Sequence, residues 1–297
     1  MNKDGESFSL DAWEDFSVSS KTSYSSATEL YESFKIYKNQ LKSLPKSELV
    51  KRGWISSKND TTSLVNLFKE IHRNHDSALY RKSDTASFSL TSLWFSKIKS
   101  QAEVSAFKNS TRSFEGIDKN KLRTIAQLSV DVNIITELPK ILSNLGIILI
   151  YMRSLPSMKL DGVVFKIDSG HPVIGMSLRY SRLDNFWFTL LHELSHIYLH
   201  MDLLNNPILE NFDIESNSEI EISANRLAKS AIVDRHVWRN CEPKYDKSFE
   251  AIEKFSSEIG IHKSVIAGLL RREQGNYSSF SRLVNEINTR EVIFGHD

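Results

Sequence analysis

Apolar positions recur at helical spacing through the first half of the chain. Leu30, Phe34, Tyr37 and Leu41 follow one another at intervals of three and four, which predicts an amphipathic helix from Ala27 onward. Pro45 ends that pattern, and Ser47 to Arg52 predicts a second, short helix stopped by Gly53. Residues 62–72 carry Leu64, Leu67, Phe68 and Ile71 on one face, and residues 90–106 carry Leu90, Leu93, Trp94, Ile98 and Ala102. A loop is expected over 73–89, and two further helices over 119–130 and 137–145. Residues 1–26 are rich in Ser, Thr, Asp and Lys and read as a disordered lead-in.

After Gly146 the pattern changes. Ile147–Met152, Gly162–Ile167 and Pro172–Leu178 are short, apolar and bounded by Gly, Pro, Asp and Ser, which predicts strands of a small, mostly antiparallel sheet. A strong helix follows from Asn185 to Met201, with Asp184 as its cap, then another over 216–232 and helical hairpins to about residue 287. The expected fold class is α+β. Its parts are a disordered lead-in at 1–26, a helical N-terminal domain at 27–135, and a core at 136–290 in which helices surround one small sheet.

Composition changes this picture little. Hydrophobic residues make up 40% of the 297 and charged residues 25%, enough apolar surface to bury a core. A net charge of +1 excludes a global field that would steer the chain onto nucleic acid or an anionic membrane. The single cysteine, Cys241, cannot form an internal disulfide and suits a reducing compartment, where it reads as a small packing residue. The N-terminus has no apolar signal-like run, and the stretch Gly146 to Met152 is too short to span a bilayer, so a cytoplasmic protein without a membrane partner is expected.

The chemistry concentrates in the predicted helix, which reads His192-Glu193-Leu-Ser-His196. Residues four apart share a helix face, so His192 and His196 can hold one ion, with zinc the default. Glu193 beside the first ligand is placed to take a proton from a polarised water and return it to a leaving amine. Flanking Phe188, Leu190, Leu191, Ile197 and Leu199 bury the helix, and two imidazoles with a carboxylate are costly there without a partner. A third ligand is required. His200 lies on the same straight helix and cannot close around the ion, while Asp202 lacks the glycine turn that would bring it back. Glu221 falls on the apolar face formed by Ala224, Leu227, Ala228 and Ala231, whereas Glu219 falls on the opposite face. Glu221 is therefore the strongest candidate.

The segment His192-Glu193-Leu-Ser-His196 followed by Glu221-Ile-Ser-Ala-Asn225 resembles the ImmA/IrrE metallopeptidase family. Further stretches are similar to the branch fused to HigA-like antitoxin regulators: Leu155-Pro156, Leu160-Asp161-Gly162, Pro172 to Gly175, Leu178 to Tyr180, Leu44 to Ile55, and Gly260 to Gly268. The resemblance covers roughly 27–287 and implies a gluzincin-like core. In place of that branch's helix-turn-helix this chain has about 26 low-order residues. It also implies an intracellular endopeptidase in a stress, phage or toxin–antitoxin response. The substrate would be a specific repressor or antitoxin supplied in trans.

Secondary candidates remain. Tyr180 or Arg179, just before the zinc helix, offers a donor for an oxyanion. His262 reads either as a catalytic histidine that supports the ligands or the oxyanion, or as a helix-terminal residue with a local hydrogen bond. If the strand at 172–178 is an exposed edge, an extended substrate can add to it. Lys35, Lys38, Lys42, Lys46, Lys51 and Arg52 make a basic face, read as solvated or as a surface for an acidic protein or a single-stranded nucleic-acid activator. The alternative function is a non-catalytic, antitoxin-like binding module that uses the zinc fold as scaffold.

Overall fold

A computed structural model describes residues 44–60, 62–67, 86–108, 112–211 and 218–295. The expected lead-in, the helix from Ala27, most of the loop at 73–89, and Lys35, Lys38 and Lys42 lie outside these residues. The chain divides into two compact units, Met1–Ser96 with Leu155–Ser157, and Lys97–Ser154 with Met158–Asp297.

In the first unit α1 (Lys46–Lys51) matches the short helix expected before Gly53, which takes φ +67°, a conformation open to glycine. Arg52 closes the helix by pairing with Glu48 at 2.7 Å and lies over the Trp54 ring, so part of the expected basic face is neutralised locally. Residues 62–67 are helical. Helix α2 (Ala86–Lys108) crosses the division between the units. It starts a few residues earlier than its apolar pattern suggested, and Leu90, Leu93, Trp94, Ile98 and Ala102 are all buried.

The second unit holds α3 (Lys119–Gln127), α4 (Ile134–Ser143), β1 (Ile148–Tyr151), β2 (Gly162–Lys166), β3 (Pro172–Met176), α5 (Leu183–His200), β4 (Ile208–Glu210) and α6 (Glu219–Ile232). After these come α7 (Arg235–Arg239), α8 (Phe249–Ile259), α9 (Lys263–Gln274), α10 (Ser281–Val284) and α11 (Thr289–Phe294). The architecture is α+β. Helix α3, which the sequence pattern assigned to a helical N-terminal domain, contributes Leu122 and Ile125 to the same core as the sheet, beside Leu138 and Leu142 of α4. The two helices pack there because their apolar faces meet α5, α6 and β1. Arg123 on α3 fixes the arrangement by donating to the Ala231, Ile232 and Ile259 carbonyls at the ends of α6 and α8.

The sheet runs in the order β1-β3-β2-β4, with β1 parallel to β3 and the other two pairings antiparallel. All five residues of β3 are buried, as suits a strand flanked on both sides. The condition for adding a substrate strand at 172–178 is therefore not met, because the edges of the sheet are β1 and β4. Strand β4 has only three residues, too few for alternation to reveal, and it pairs Gly162 with Glu210.

Helix α5 packs against β2, β3, α3, α6 and α9. Its side chains are buried with little interruption from Leu183 to Ile197, the pattern of a helix enclosed on every face. The cap differs from expectation. Arg182 is the N-cap residue, and Asp184 sits inside the first turn, where it accepts from Arg182 and lies favourably at the positive end of the helix dipole. No helix among the described residues is long and apolar enough to cross a membrane.

Candidate metal centre

His192 and His196 face one way from α5, and α6 runs beside it, bringing Glu221 to the same place from its first turn. The Glu221 side chain is turned inward while Glu219 is exposed, as the helical spacing required. One ligand atom from each of His192, His196, Glu221 and Glu210 lies within 4.8 Å of the others. Glu210 is the member the sequence did not reveal. It arrives from β4, and no signal in Ile208-Leu-Glu210 marks it.

The four side chains converge on a point rather than on one another. His192 Nε2 lies 2.9 Å from His196 Nε2, 3.1 Å from Glu221 Oε2 and 3.2 Å from Glu210 Oε2, and His196 Nε2 lies 3.5 Å from Glu221 Oε2. Glu221 Oε2 is buried at these separations without a well-formed hydrogen bond. Zinc–nitrogen bonds of about 2.0–2.1 Å give tetrahedral edges of about 3.3 Å, within the range of the observed spacings.

The protons can be followed around the outer ring. Ser223 Oγ donates its single proton to the Ile220 carbonyl at 2.8 Å, so toward His200 Nε2, 3.2 Å away, it accepts. With its proton on Nε2, His200 presents Nδ1 as an acceptor to His196 Nδ1 at 3.0 Å. His196 therefore carries its proton on Nδ1 and turns an unshared pair on Nε2 inward. On the other histidine, Asn225 Oδ1 accepts from His192 Nδ1 at 3.1 Å, which likewise directs the Nε2 pair inward. Two lone pairs and two carboxylate oxygens aimed at one small volume repel unless a cation stands among them. Nothing in His200, Ser223 or Asn225 had suggested this supporting ring, apart from the four-residue spacing of His200 from His196.

The electrostatics agree. Burial works against a charge on His192, yet Glu210 and Glu221 outweigh it and raise its pKa to about 10. In the metal-free chain a proton thus takes the place of the cation. Burial also pulls Glu221 upward, but the His192 and His196 rings hold it well below the usual carboxylate range. Burial raises Glu210, and it lowers His196 and His200.

Glu193 is fully buried at 0% exposure. Neither of its carboxylate oxygens has a hydrogen-bond partner. Burial, reinforced by Glu210, Glu221 and Asp161, raises its pKa well above the ordinary value. It lies against Gly162 of β2, where a Cβ would overlap the carboxylate oxygen. The glycine thus lets Glu193 and the strand partner Glu210 reach the same space.

The other candidates lie elsewhere. Tyr180 lines a cavity beside the first turns of α5, with the Arg179 and Arg182 guanidinium groups 5.0 and 5.5 Å from its ring centre. Arg179 lies 3.8 Å from the buried carboxylate of Asp161. His262 N-caps α9: its Nδ1 accepts from Ser264 N at 3.1 Å, and its backbone N donates to Ser129 Oγ. It is not among the converging ligands. Asp202 sits exposed in the 3-10 turn Met201–Leu203, and Cys241 is buried in the core.

Residues 144–267 match the family described as the IrrE N-terminal-like domain, peptidase M78. The match contains the whole converging cluster, the supporting ring and Glu193. No curated protein matches the chain.

Proposed function

We propose that this chain, which carries a peptidase M78 domain of the IrrE N-terminal-like kind at residues 144–267, is a zinc-dependent endopeptidase. Its substrate would be a regulatory protein, a repressor or antitoxin supplied in trans. The observation that supports this most is the pairing of two inward-directed Nε2 atoms and Glu221 Oε2 with a fully buried Glu193 carboxylate that has no hydrogen-bond partner. A purely structural zinc site has no use for such a carboxylate.

His192, His196 and Glu221 would hold the ion, which when bound supplies a Lewis acid that polarises a carbonyl and acidifies a water. The rest is done by the chain. Asn225 and the His200–Ser223 relay hold the two imidazoles in one tautomer. Glu193, with its raised pKa, accepts a proton on a carboxylate oxygen and passes it to the departing amine nitrogen. Enclosure by β2 and the apolar side chains of α5 keeps bulk water from that proton. Tyr180 lines the cavity beside the first turns of α5, away from the converging ligands, so the oxyanion role is not assigned to it. The resemblance to regulator-fused relatives supports a repressor or antitoxin substrate in a stress, phage or toxin–antitoxin response. An activating nucleic acid would use Lys46, Lys51 and the lysines before them.

Glu210 favours a second reading. With a fourth protein ligand the site is closed, and closed sites are structural. On that reading the chain is a non-catalytic binding module. One comparison separates the two: zinc content and cleavage of candidate regulators for wild type, Glu193→Gln and Glu210→Ala. An endopeptidase retains about one zinc in Glu193→Gln and loses turnover by about a hundredfold or more. A scaffold shows no turnover in any of the three, and its Glu193→Gln variant binds the partner as well as wild type does. Rapid cleavage by Glu193→Gln would refute the assigned base.

A further inference from the structure

A cavity of about 530 Å³ adjoins the metal centre along α5. Asp184, Phe188, His192 and His196 are spaced four apart and form one stripe, so the cavity residues Asp184 and Phe188 continue the ligand row toward the helix N-terminus. Four residues of helix advance about 6 Å, so the cavity opens one to two turns from the ion position. The Phe188 and His192 rings are 6.3 Å apart.

Among the described residues, Arg182, Arg271 and Arg272 line this cavity with one carboxylate, Asp184. Asp184 is already engaged: it accepts from Arg182 Nε at 3.0 Å and lies 3.4 Å from Arg182 Nη2. Gly268 of α9 presses on it so closely that a Cβ would overlap the Asp184 side chain. Arg272 lies with its guanidinium 3.7 Å above the Phe188 ring and feels Glu210 and Asp161 from the metal side. Arg271 is the revealing group. It is only 6% exposed and donates through Nη2 to the Tyr277 carbonyl, while its Nε and Nη1 are buried with no hydrogen-bond partner. A buried guanidinium with two idle donors is costly, and burial lowers the pKa of both Arg271 and Arg272.

Paired N–H donors on a planar fork match a carboxylate in both geometry and charge. The remaining wall, with Ile232, Val265 and Leu269, is apolar and suits the methylene stem of an acidic side chain. We propose that this cavity is a carboxylate-binding subsite, with Arg271 and Arg272 receiving an acidic group of the peptide substrate a few residues from the scissile bond. The inference rests on the endopeptidase reading for the word substrate. The carboxylate site itself stands on the cavity alone.

An acidic side chain and a free C-terminus offer the same chemistry. The probes are therefore N-acetyl-glutamate amide, N-acetyl-glutamine with a free carboxylate, and N-acetyl-glutamine amide as the neutral control. They are titrated into the zinc-loaded full chain while the side-chain Nε–Hε resonance of Arg271 is followed by NMR. At least one carboxylate probe should shift that resonance saturably and bind about tenfold or more tightly than the neutral amide. Which of the two carboxylates binds identifies the source. Arg272→Met keeps the stem over Phe188 and should reduce the difference; in Arg271→Gln, which lacks that resonance, titration calorimetry with the same probes should show the difference gone. If all three probes behave alike in a folded wild-type chain, the subsite is overturned. That failure in a chain that still cleaves protein leaves the endopeptidase reading intact, whereas carboxylate binding in a chain that cleaves nothing supports the cavity and removes that reading.

Discussion

Asn225 touches no ion position, yet it decides which nitrogen of His192 carries a proton. Replacing it with Ala frees the ring to turn and to change tautomer. Zinc affinity should then fall by about 10- to 100-fold, the usual effect of losing an orienting partner, as read by competition with a chromophoric chelator. The same cluster sets a pH dependence. In the metal-free chain His192 has its pKa raised to about 10 from an ordinary value of 6.5, so its charged form stabilises the fold fully below about 6.5. That stabilisation is lost as pH rises through about 10. Denaturant titrations of the stripped chain should therefore show a loss across this window that the zinc-loaded chain does not share. Because the ion must displace this proton, zinc affinity should rise with pH over the same range. A stripped chain with a flat pH profile would remove the proton from Nε2.

Two glycines let elements approach. On β2, Gly162 leaves room for the Glu193 carboxylate from α5, and on α9, Gly268 leaves room for Asp184. Gly162→Ala should displace Glu193 without touching a ligand, so zinc content should persist while turnover falls. Gly268→Ala should push α9 from α5 and destabilise the fold by about 1–3 kcal/mol, as overpacking does, measured by urea unfolding. At this scale the sequence was readable where elements are long or strongly patterned. The motif helix, the helix bearing Glu221 and three strands lie within a few residues of expectation. It was unreadable at β4, because three residues cannot display alternation, and at β3, because an apolar run does not say which strands flank it.

For the whole molecule, an ion held at this cluster would tie α5 to α6, with Glu210 of β4 drawn to the same place. Stripping it leaves converging carboxylates and lone pairs inside the core. At a free zinc level of about 100 times Kd, linkage adds about 2.7 kcal/mol of stability. For a unit of this size that corresponds to a rise of about 5 °C or more in Tm, to be measured by calorimetry with and without chelator. Glu221→Ala should abolish most of this increment. Glu210→Ala should keep a larger part of it, since three ligands remain. An equal loss in both would make the site a four-ligand structural centre.

The sequence alone determined the chemistry that depends on local spacing. His192, Glu193 and His196 share a helix because apolar residues enclose that helix, and Glu221 turns inward because it lies in register with Ala224, Leu227, Ala228 and Ala231. Helical periodicity is a property of neighbouring residues, so it is written in the chain. Tertiary structure decided everything that joins distant segments: Glu210 as the fourth converging group and second carboxylate, the His200–Ser223 relay, the glycine beneath Glu193, and the arginine cavity between α5 and α9. These depend on strand register, interhelical distance and the direction of individual lone pairs, which are set only when separate elements pack against one another.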